Sequence, residues 1–384
     1  MVNPMRRLSL VYTCLSVCVA TTLSAQAQSS VDALPRRAWF GVALAPHESG
    51  ALVTSVVEGS SAAVAGIRSG DVIRGVDEVA MHTPNDVIAI IGRHAGGEVA
   101  AIDIIRDGRS ERHAVLLRPL LKETMPGVTF EYGSVTLPDG SRLRTIVSVP
   151  DQRERPLAAV MLVAGGGCGS VDLPLAADFA QPGLMRTIAA RGYVTMRVEK
   201  SGIGDSQGPA CDTIGYTQEL DGYRAALSAL RRHPAVDPGQ VHLLGISLGG
   251  VFAPVLAREF PIRSIVVYGT LAASPPPYPG RSERFFKEFA AVDIPAAWSA
   301  VDSRVLVLRG QFDEVAVEAD HARIAALVNA GHPGRATHQE LPGLDHCWTR
   351  HETMDKSRGH CGNGQAVPVL SDTVLAFFAG QASL

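Results

Sequence analysis

Residues 241–249 constrain the fold more tightly than any other stretch of this chain. The apolar strand at 241–244 runs directly into Gly245-Ile246-Ser247-Leu248-Gly249, and residues 250–258 then read as a helix. A serine between a core strand and a helix, flanked at both sides by glycine, implies a turn with strained backbone and another chain passing close by. The surroundings alternate in the same way. Strands at 130–137 and 142–149 flank Asp139-Gly140, and a buried strand at 158–163 enters Ala164-Gly165-Gly166-Gly167-Cys168-Gly169. A helical stretch near 183–190 ends at Gly192, and a strand follows at 193–198. Helix 217–233 aligns Leu220, Tyr223, Leu227 and Leu230 on one face, and strands at 262–268, 304–308 and 337–340 complete the series. Such alternation over residues 121–384 predicts an α/β fold: a mostly parallel sheet with helices on both faces.

Sheets of this kind bind ligands outside the carboxyl ends of their strands, and every chemical candidate falls there. Ser247 is the expected nucleophile. A serine hydroxyl needs a base, and the base needs a carboxylate to orient it. Asp313 stands just past strand 304–308, with Glu314 as its rival, and His346 follows strand 337–340 in Pro342-Gly343-Leu344-Asp345-His346. His332 and His338 precede that strand's end, while His351 and His360 lie further along the same loop. An oxyanion needs two backbone donors. Leu248, next to the serine, offers one N–H, and Gly166 or Gly167 the other. The glycine run lacks the Gly-Lys-Ser/Thr ending of a phosphate loop, which excludes that reading.

These residues together resemble the α/β-hydrolase superfamily, in its esterase and serine-aminopeptidase branch, across nearly all of residues 129–384. The resemblance implies an acyl-serine mechanism with Ser247, Asp313 and His346 as catalytic residues, and no cofactor. Two departures stand out. Glu199-Lys200-Ser201-Gly202-Ile203-Gly204-Asp205-Ser206 carries Glu and Lys-Ser where the branch has Asp and Arg-Gly, and Ala164 stands where a His often precedes the glycine run. Residues 271–303 interrupt the alternation. With Pro275, Pro276, Pro277, Tyr278, Pro279, Phe285, Phe286, Phe289 and Trp298, they read as a cap over the active site, the alternative being a surface helix with a packed apolar face.

Residues 37–120 are organised differently. A strand at 51–57 leads through Glu58-Gly59-Ser60-Ser61 to a helical turn and Gly70-Asp71-Val72-Ile73. Thr83-Pro84-Asn85-Asp86 starts a helix: Thr83 caps, Pro84 fits the first turn and Asp86 faces the positive end of the dipole. Strands at 99–105 and 113–117 join near Asp107-Gly108. Ser61-Ala62-Ala63-Val64-Ala65-Gly66-Ile67 with Gly70-Asp71-Val72-Ile73 resembles a PDZ domain of the bacterial, protease-associated type. The resemblance implies that Trp39-Phe40-Gly41-Val42 receives a peptide's terminal carboxylate, the peptide lying as an added strand beside the helix bearing Val87 and Ile91. A PDZ fold used only for internal packing is the alternative.

The N-terminus carries an address. Arg6 and Arg7 precede an apolar run from residue 8 to 23 and then Ser24-Ala25-Gln26-Ala27, the three parts of a secretory signal, with cleavage expected after Ala27 and a linker at 28–36. A membrane anchor is the alternative, but the run is short. No later stretch is apolar enough to span a bilayer, so the mature protein is expected to be exported and, in a Gram-negative cell, periplasmic. A net charge of −3 points to neither nucleic acid nor a membrane surface as partner. Past the signal, Cys168, Cys211, Cys347 and Cys361 suit an oxidising compartment. Three pairings are open; Cys347 with Cys361 and Cys168 with Cys211 are favoured as links between close loops. Zinc at His346, Cys347, His351, His360 and Cys361 fits no familiar spacing, so no metal is expected. The expected partner is a small acyl ester or a peptide, with a peptide C-terminus at the PDZ groove. A non-catalytic peptide-binding scaffold is the reading of a different class.

Overall fold

The computed structural model describes residues 34–176, 180–273 and 280–381. The expected secretory signal at 1–27 and most of the expected linker lie outside these, as do Pro275, Pro276, Pro277, Tyr278 and Pro279.

The first part comprises β1 (Ala38–Trp39), β2 (Val42–His47), β3 (Gly50–Val56), α1 (Ser61–Val64), β4 (Val72–Val76), β5 (Val79–Ala80), α2 (Pro84–Ile91), β6 (Val99–Arg106), β7 (Arg109–Leu116) and β8 (Arg118–Pro119). Strands run β2-β3-β4-β6-β7, all neighbours antiparallel, with β5 added to β4. Alternate residues of β6, Ala100, Ile102 and Ile104, face a core shared with Val53, Ile73 and Val87. Thr83 and Asp86 form a reciprocal capping box at the start of α2. β1 pairs with β8, so the two ends of this unit are clasped together.

The second part comprises β9 (Val128–Thr136), β10 (Arg142–Pro150), β11 (Leu157–Val163), α3 (Ala180–Ala190), β12 (Val194–Val198), α4 (Tyr216–Arg231), β13 (Val236–Ile246), α5 (Gly249–Glu259), β14 (Ser264–Tyr268), α6 (Glu283–Ala290), α7 (Ile294–Ser299), β15 (Arg304–Gly310), α8 (Glu318–Gly331) and β16 (Ala336–Leu341). The chain closes with β17 (Thr349–Arg350), α9 (Met354–Ser357), β18 (Gln365–Ala366) and α10 (Val369–Phe378). The sheet order is β16-β15-β14-β13-β11-β12-β10-β9, parallel from β16 to β12 and antiparallel at β10 and β9. The central strands are buried on both faces, and separate apolar clusters lie on the two sides. After β11 the chain adds β12 on one flank and then β13 on the other. The crevice of the sheet therefore opens between the ends of β11 and β13.

Phe285, Phe286, Phe289 and Trp298 are all buried in the core cluster of one sheet face. Phe289 and Phe252 stack on either flank of Tyr216, at 5.1 and 4.5 Å between ring centroids. These aromatics pack against Tyr216 of α4 and Phe252 of α5, as a helix with a packed apolar face does.

A polar seam joins the segment ahead of β1 to the second part. Arg36 bonds Asp172 (2.5 Å) and Asp205 (2.6 Å), and its guanidinium lies 4.5 Å from the centre of the Tyr132 ring. Arg37 donates to Ser170 Oγ and to the Asp172 carbonyl. Arg144 bonds Asp205 at 2.9 Å and the Leu34 carbonyl at 2.6 Å.

Candidate active site

The turn from β13 to α5 needs its glycines for space. A Cβ at Gly249 would overlap the Val163 carbonyl, one at Gly245 would come within 2.9 Å of the Gly250 Cα, and one at Gly250 would strike Thr270. Ser247 itself has φ +52°, a left-handed conformation that a non-glycine residue adopts at a cost of about 1–3 kcal/mol. Its N–H donates to the Tyr268 carbonyl at 2.8 Å, which pins the turn to β14. Leu248 precedes the first turn of α5, where backbone N–H groups have no partner within the helix.

Asp313 follows β15 and His346 follows β16, and the two meet: His346 Nδ1 lies 2.8 Å from Asp313 Oδ2. The carboxylate is almost fully buried, and its Oδ1 accepts the N–H groups of Val315 (2.9 Å) and Ala316 (2.8 Å). An ionised carboxylate only accepts, so Nδ1 carries the hydrogen and Nε2 is left with its lone pair. Gly269, at the end of β14 with φ +59°, lies beneath the pair; a Cβ there would be 2.8 Å from both Asp313 Oδ2 and His346 Nδ1. Glu314 is exposed and accepts the Gly359 N–H instead.

The loop carrying His346 is organised by Asp345. Its carboxylate accepts the N–H groups of Cys347, Thr349 and Gly362 and the Thr349 hydroxyl, and lies 2.9 Å from His351 Nε2. Burial opposes the charge, but the Thr349, Gly362 and His351 contacts hold this carboxyl below the usual range. Tyr268 donates its hydroxyl to the Asp345 carbonyl at 2.7 Å. The Cys347–Cys361 disulfide closes the same loop. His351 therefore belongs to an internal tie, His332 caps the end of α8, His338 lies on β16, and the exposed His360 bonds the Arg358 carbonyl. Both cysteines of the zinc reading are spent in the disulfide, so neither is a thiolate ligand.

The glycine loop after β11 passes against the serine: a Cβ at Gly165 would be 3.3 Å from the Ser247 Cβ. Tyr223 donates to the Ala164 carbonyl (3.3 Å), and Lys200 Nζ donates to the carbonyls of Gly165 (2.5 Å) and Gly167 (3.1 Å). Lys200 also pairs with Glu219 at 2.9 Å, and Arg281 pairs with the other Glu219 oxygen. The Cys168–Cys211 disulfide anchors the far side of the loop, with Arg281 3.4 Å from the Cys211 carbonyl. Beside the loop opens a cavity of about 210 Å³ lined by Gly165, Gly167, Ser170, Val171 and Leu173 among others. A cavity of about 650 Å³ lies at the opposite ends of the strands, among Arg258, Arg263, Arg304 and Arg335, far along the sheet from Ser247. The contacts of Lys200, Glu219 and Arg281 are absent from the sequence reading. The only signal for them was the departure at Glu199-Lys200 from the branch's usual motif.

In the first part, Gly41 has φ +76° and no room for a Cβ beside Ser60. The carbonyls of Trp39, Phe40 and Gly41 are taken by the Ser61 hydroxyl, the Ala62 N–H and the Val57 N–H. Val42 opens the edge strand β2. Val87 and Ile91 are both buried in the core of this unit, and the exposed large apolar residue of α2 is Ile88, at 63%. A helix of eight residues over a small sheet must turn its two largest buried side chains to that core.

Comparison with known proteins agrees with this architecture. The PDZ domain profile (PDZ_2) matches residues 38–117. A curated relative, a "Probable periplasmic serine endoprotease DegP-like" of Brucella suis, is 32% identical over 105 residues. That match takes in 23% of this chain, and the chain spans about a fifth (20%) of the relative's length; the counterpart in Brucella abortus matches equally. Among solved structures, DcsB in complex with its substrate analogue aligns with TM-score 0.52 at 14% identity, over 67% of this chain and 100% of DcsB. A structure from a study of two prolyl endopeptidases aligns with TM-score 0.52 at 15% identity, over 74% of this chain and 43% of that one. A PDZ domain is thus followed by a domain of α/β-hydrolase fold.

Proposed function

We propose that the chain is an exported serine hydrolase that cleaves a carboxylic ester or thioester through an acyl-serine intermediate. The observation that carries this is Ser247, held at φ +52° at the crevice of the sheet, with the glycine loop against it and a His346–Asp313 pair after the next strands. His346 Nε2 takes the Ser247 proton as the hydroxyl oxygen attacks the carbonyl carbon. Negative charge on the carbonyl oxygen is met by the N–H of Leu248 and by that of Gly166 or Gly167. The tetrahedral species collapses, and the leaving alcohol or thiol departs with the proton held by His346. Water then repeats the sequence, releasing the acid and restoring Ser247. Asp313 keeps the imidazole in the required tautomer throughout. No step needs a cofactor.

Export is supported by the leader pattern at 1–27 and by two disulfides, which persist in oxidising compartments. The division at about residue 120 makes residues 37–120 a recognition unit: a peptide C-terminus would lie along edge strand β2, its carboxylate at Trp39-Phe40-Gly41-Val42. That domain favours peptide hydrolysis as the second reading, since a peptide reader suits a peptide substrate.

The test is activity profiling of the mature protein with esters, thioesters and aminoacyl amides, alongside fluorophosphonate labelling and titration with free C-terminal peptides. Ser247→Ala should abolish both turnover and labelling. Labelling that survives the substitution would sink the serine mechanism, and peptide binding with no reaction at Ser247 would favour a scaffold. Preference for amides over esters would move the assignment to a peptidase.

A further inference from the structure

The branch to which the second domain is similar does not account for a lysine under its oxyanion loop. Lys200 follows β12, and its side chain is 5% exposed. Its amine reaches two carbonyls of one loop, those of Gly165 and Gly167, while Tyr223 of α4 reaches the Ala164 carbonyl. No cis peptide occurs among the described residues. In a trans peptide the C=O and the N–H of the next residue point in opposite directions. Drawing the Gly165 carbonyl towards Lys200 therefore turns the Gly166 N–H to the opposite face of the loop. The Gly166 carbonyl has no such tether among the described residues, so nothing comparable orients the Gly167 N–H. Gly165 packs on Ser247, so this loop is the one that borders the reacting atoms.

We propose that Lys200 is a positioning residue for the oxyanion hole, aided by Tyr223, and that the donor it presents is the N–H of Gly166. The proposal rests on the serine-hydrolase reading. Glu219 holds the amine in place from below, and Arg281 balances the second Glu219 oxygen while lying 4.1 Å from the centre of the Phe285 ring. The aromatic-rich α6 thus acts on the site indirectly: it supplies the wall against which the Arg281–Glu219–Lys200 chain is braced. Burial, reinforced by Arg281, pushes the Lys200 amine well below the ordinary lysine range. The geometry does not depend on its charge, because an amine keeps N–H donors in either protonation state. Preorganised donors act where charge develops in the transition state, so their loss lowers kcat far more than it raises KM.

Lys200→Met is the variant of choice: methionine matches the lysine stem up to Cε and removes only the donor, and Glu219 keeps Arg281 as its counter-ion. In the full-length mature protein, Lys200→Met should retain the wild-type far-UV spectrum and a KM within about threefold. Its kcat should fall about 10- to 100-fold, and its affinity for an aryl trifluoromethyl ketone, which forms an oxyanion on Ser247, should fall in parallel. A folded variant with wild-type kcat overturns the proposal, as does a kcat loss with undiminished ketone affinity. If Lys200→Met does not accumulate as folded protein, Tyr223→Phe carries the test. It should lower kcat by about threefold at unchanged KM, and an unchanged kcat overturns the proposal. Absence of Ser247 labelling in the wild type is a different failure, recognisable before any variant is made, and it removes the hydrolase reading together with this one.

Discussion

Gly269 shows how little freedom the site leaves to single residues. It sits at φ +59° with Asp313 Oδ2 and His346 Nδ1 both 2.8 Å from where a Cβ would be. Gly269→Ala should cost about 1–3 kcal/mol through the left-handed backbone. It should also wedge the imidazole from the carboxylate and lower turnover about 100-fold, since small misplacements of reacting groups are expensive. Urea denaturation and ester kinetics on the same preparation separate the two effects. Wild-type turnover in this variant would show that the His346–Asp313 pair is not the working one. The glycine itself was invisible as a functional position in the sequence. Tyr268-Gly269-Thr270 reads as an ordinary strand end, and only the convergence of two loops from β15 and β16 gives the missing Cβ a meaning.

Among the elements, β13 carries a histidine, His242, whose burial has a pH signature. His242 Nδ1 lies 2.7 Å from Ser264 Oγ on β14, and its ring packs 4.7 Å from that of Phe378 on α10. Burial, then Arg263 and Arg304, lower its pKa from 6.5 to about 4. Between those values the unfolded chain takes up a proton that the folded chain refuses. The contribution to stability is therefore complete above pH 6.5 and is lost progressively as pH falls to about 4, up to about 3 kcal/mol in all. Denaturation midpoints from pH 7 to 4 should fall less steeply in His242→Asn than in the wild type, by about one proton's worth of slope. His321 and His338, lowered by burial, act in the same direction, as do carboxylates held low such as Asp71 and Asp345, and these contribute to the slope that remains. The strand was legible in the sequence from its apolar run. The neighbour that buries His242 was not, because α10 comes from the far end of the chain.

For the whole molecule, the segment entering the PDZ domain is wired into the loop that follows the glycine run after β11. Arg36 pairs with Asp172 and Asp205, both nearly fully buried, and Arg37 reaches Ser170 and the Asp172 carbonyl. Removing one partner from a buried ionic network strands the other charge. Arg36→Met should cost about 3–5 kcal/mol in chemical denaturation, although Arg144 still faces Asp205. A loss below 1 kcal/mol would show that the seam is solvated and contributes little. From Leu34 onward the chain forms one compact unit even though it holds two large sheets with separate cores, and this seam is a physical reason for it.

By itself the sequence determined the local backbone of the chain. Glycine spacing around Ser247 dictated a sharp strand-to-helix turn, apolar runs dictated central strands buried on both faces, and Thr83 to Asp86 dictated a capped helix. These features act over a few residues, through sterics and hydrogen bonds that the neighbours in sequence supply. That Asp313 meets His346, while Glu314 meets Gly359 and His351 meets Asp345, was decided by tertiary structure. Residues that share a loop differ in which side chain of another loop they reach, and the local sequence does not encode that. The same level of structure packed Phe285, Phe289 and Trp298 into one core and Val87 and Ile91 into another. It also brought Lys200 under the glycine loop. Each of these depends on which strands lie side by side, and a pattern of apolar residues records that a face is buried without recording what buries it.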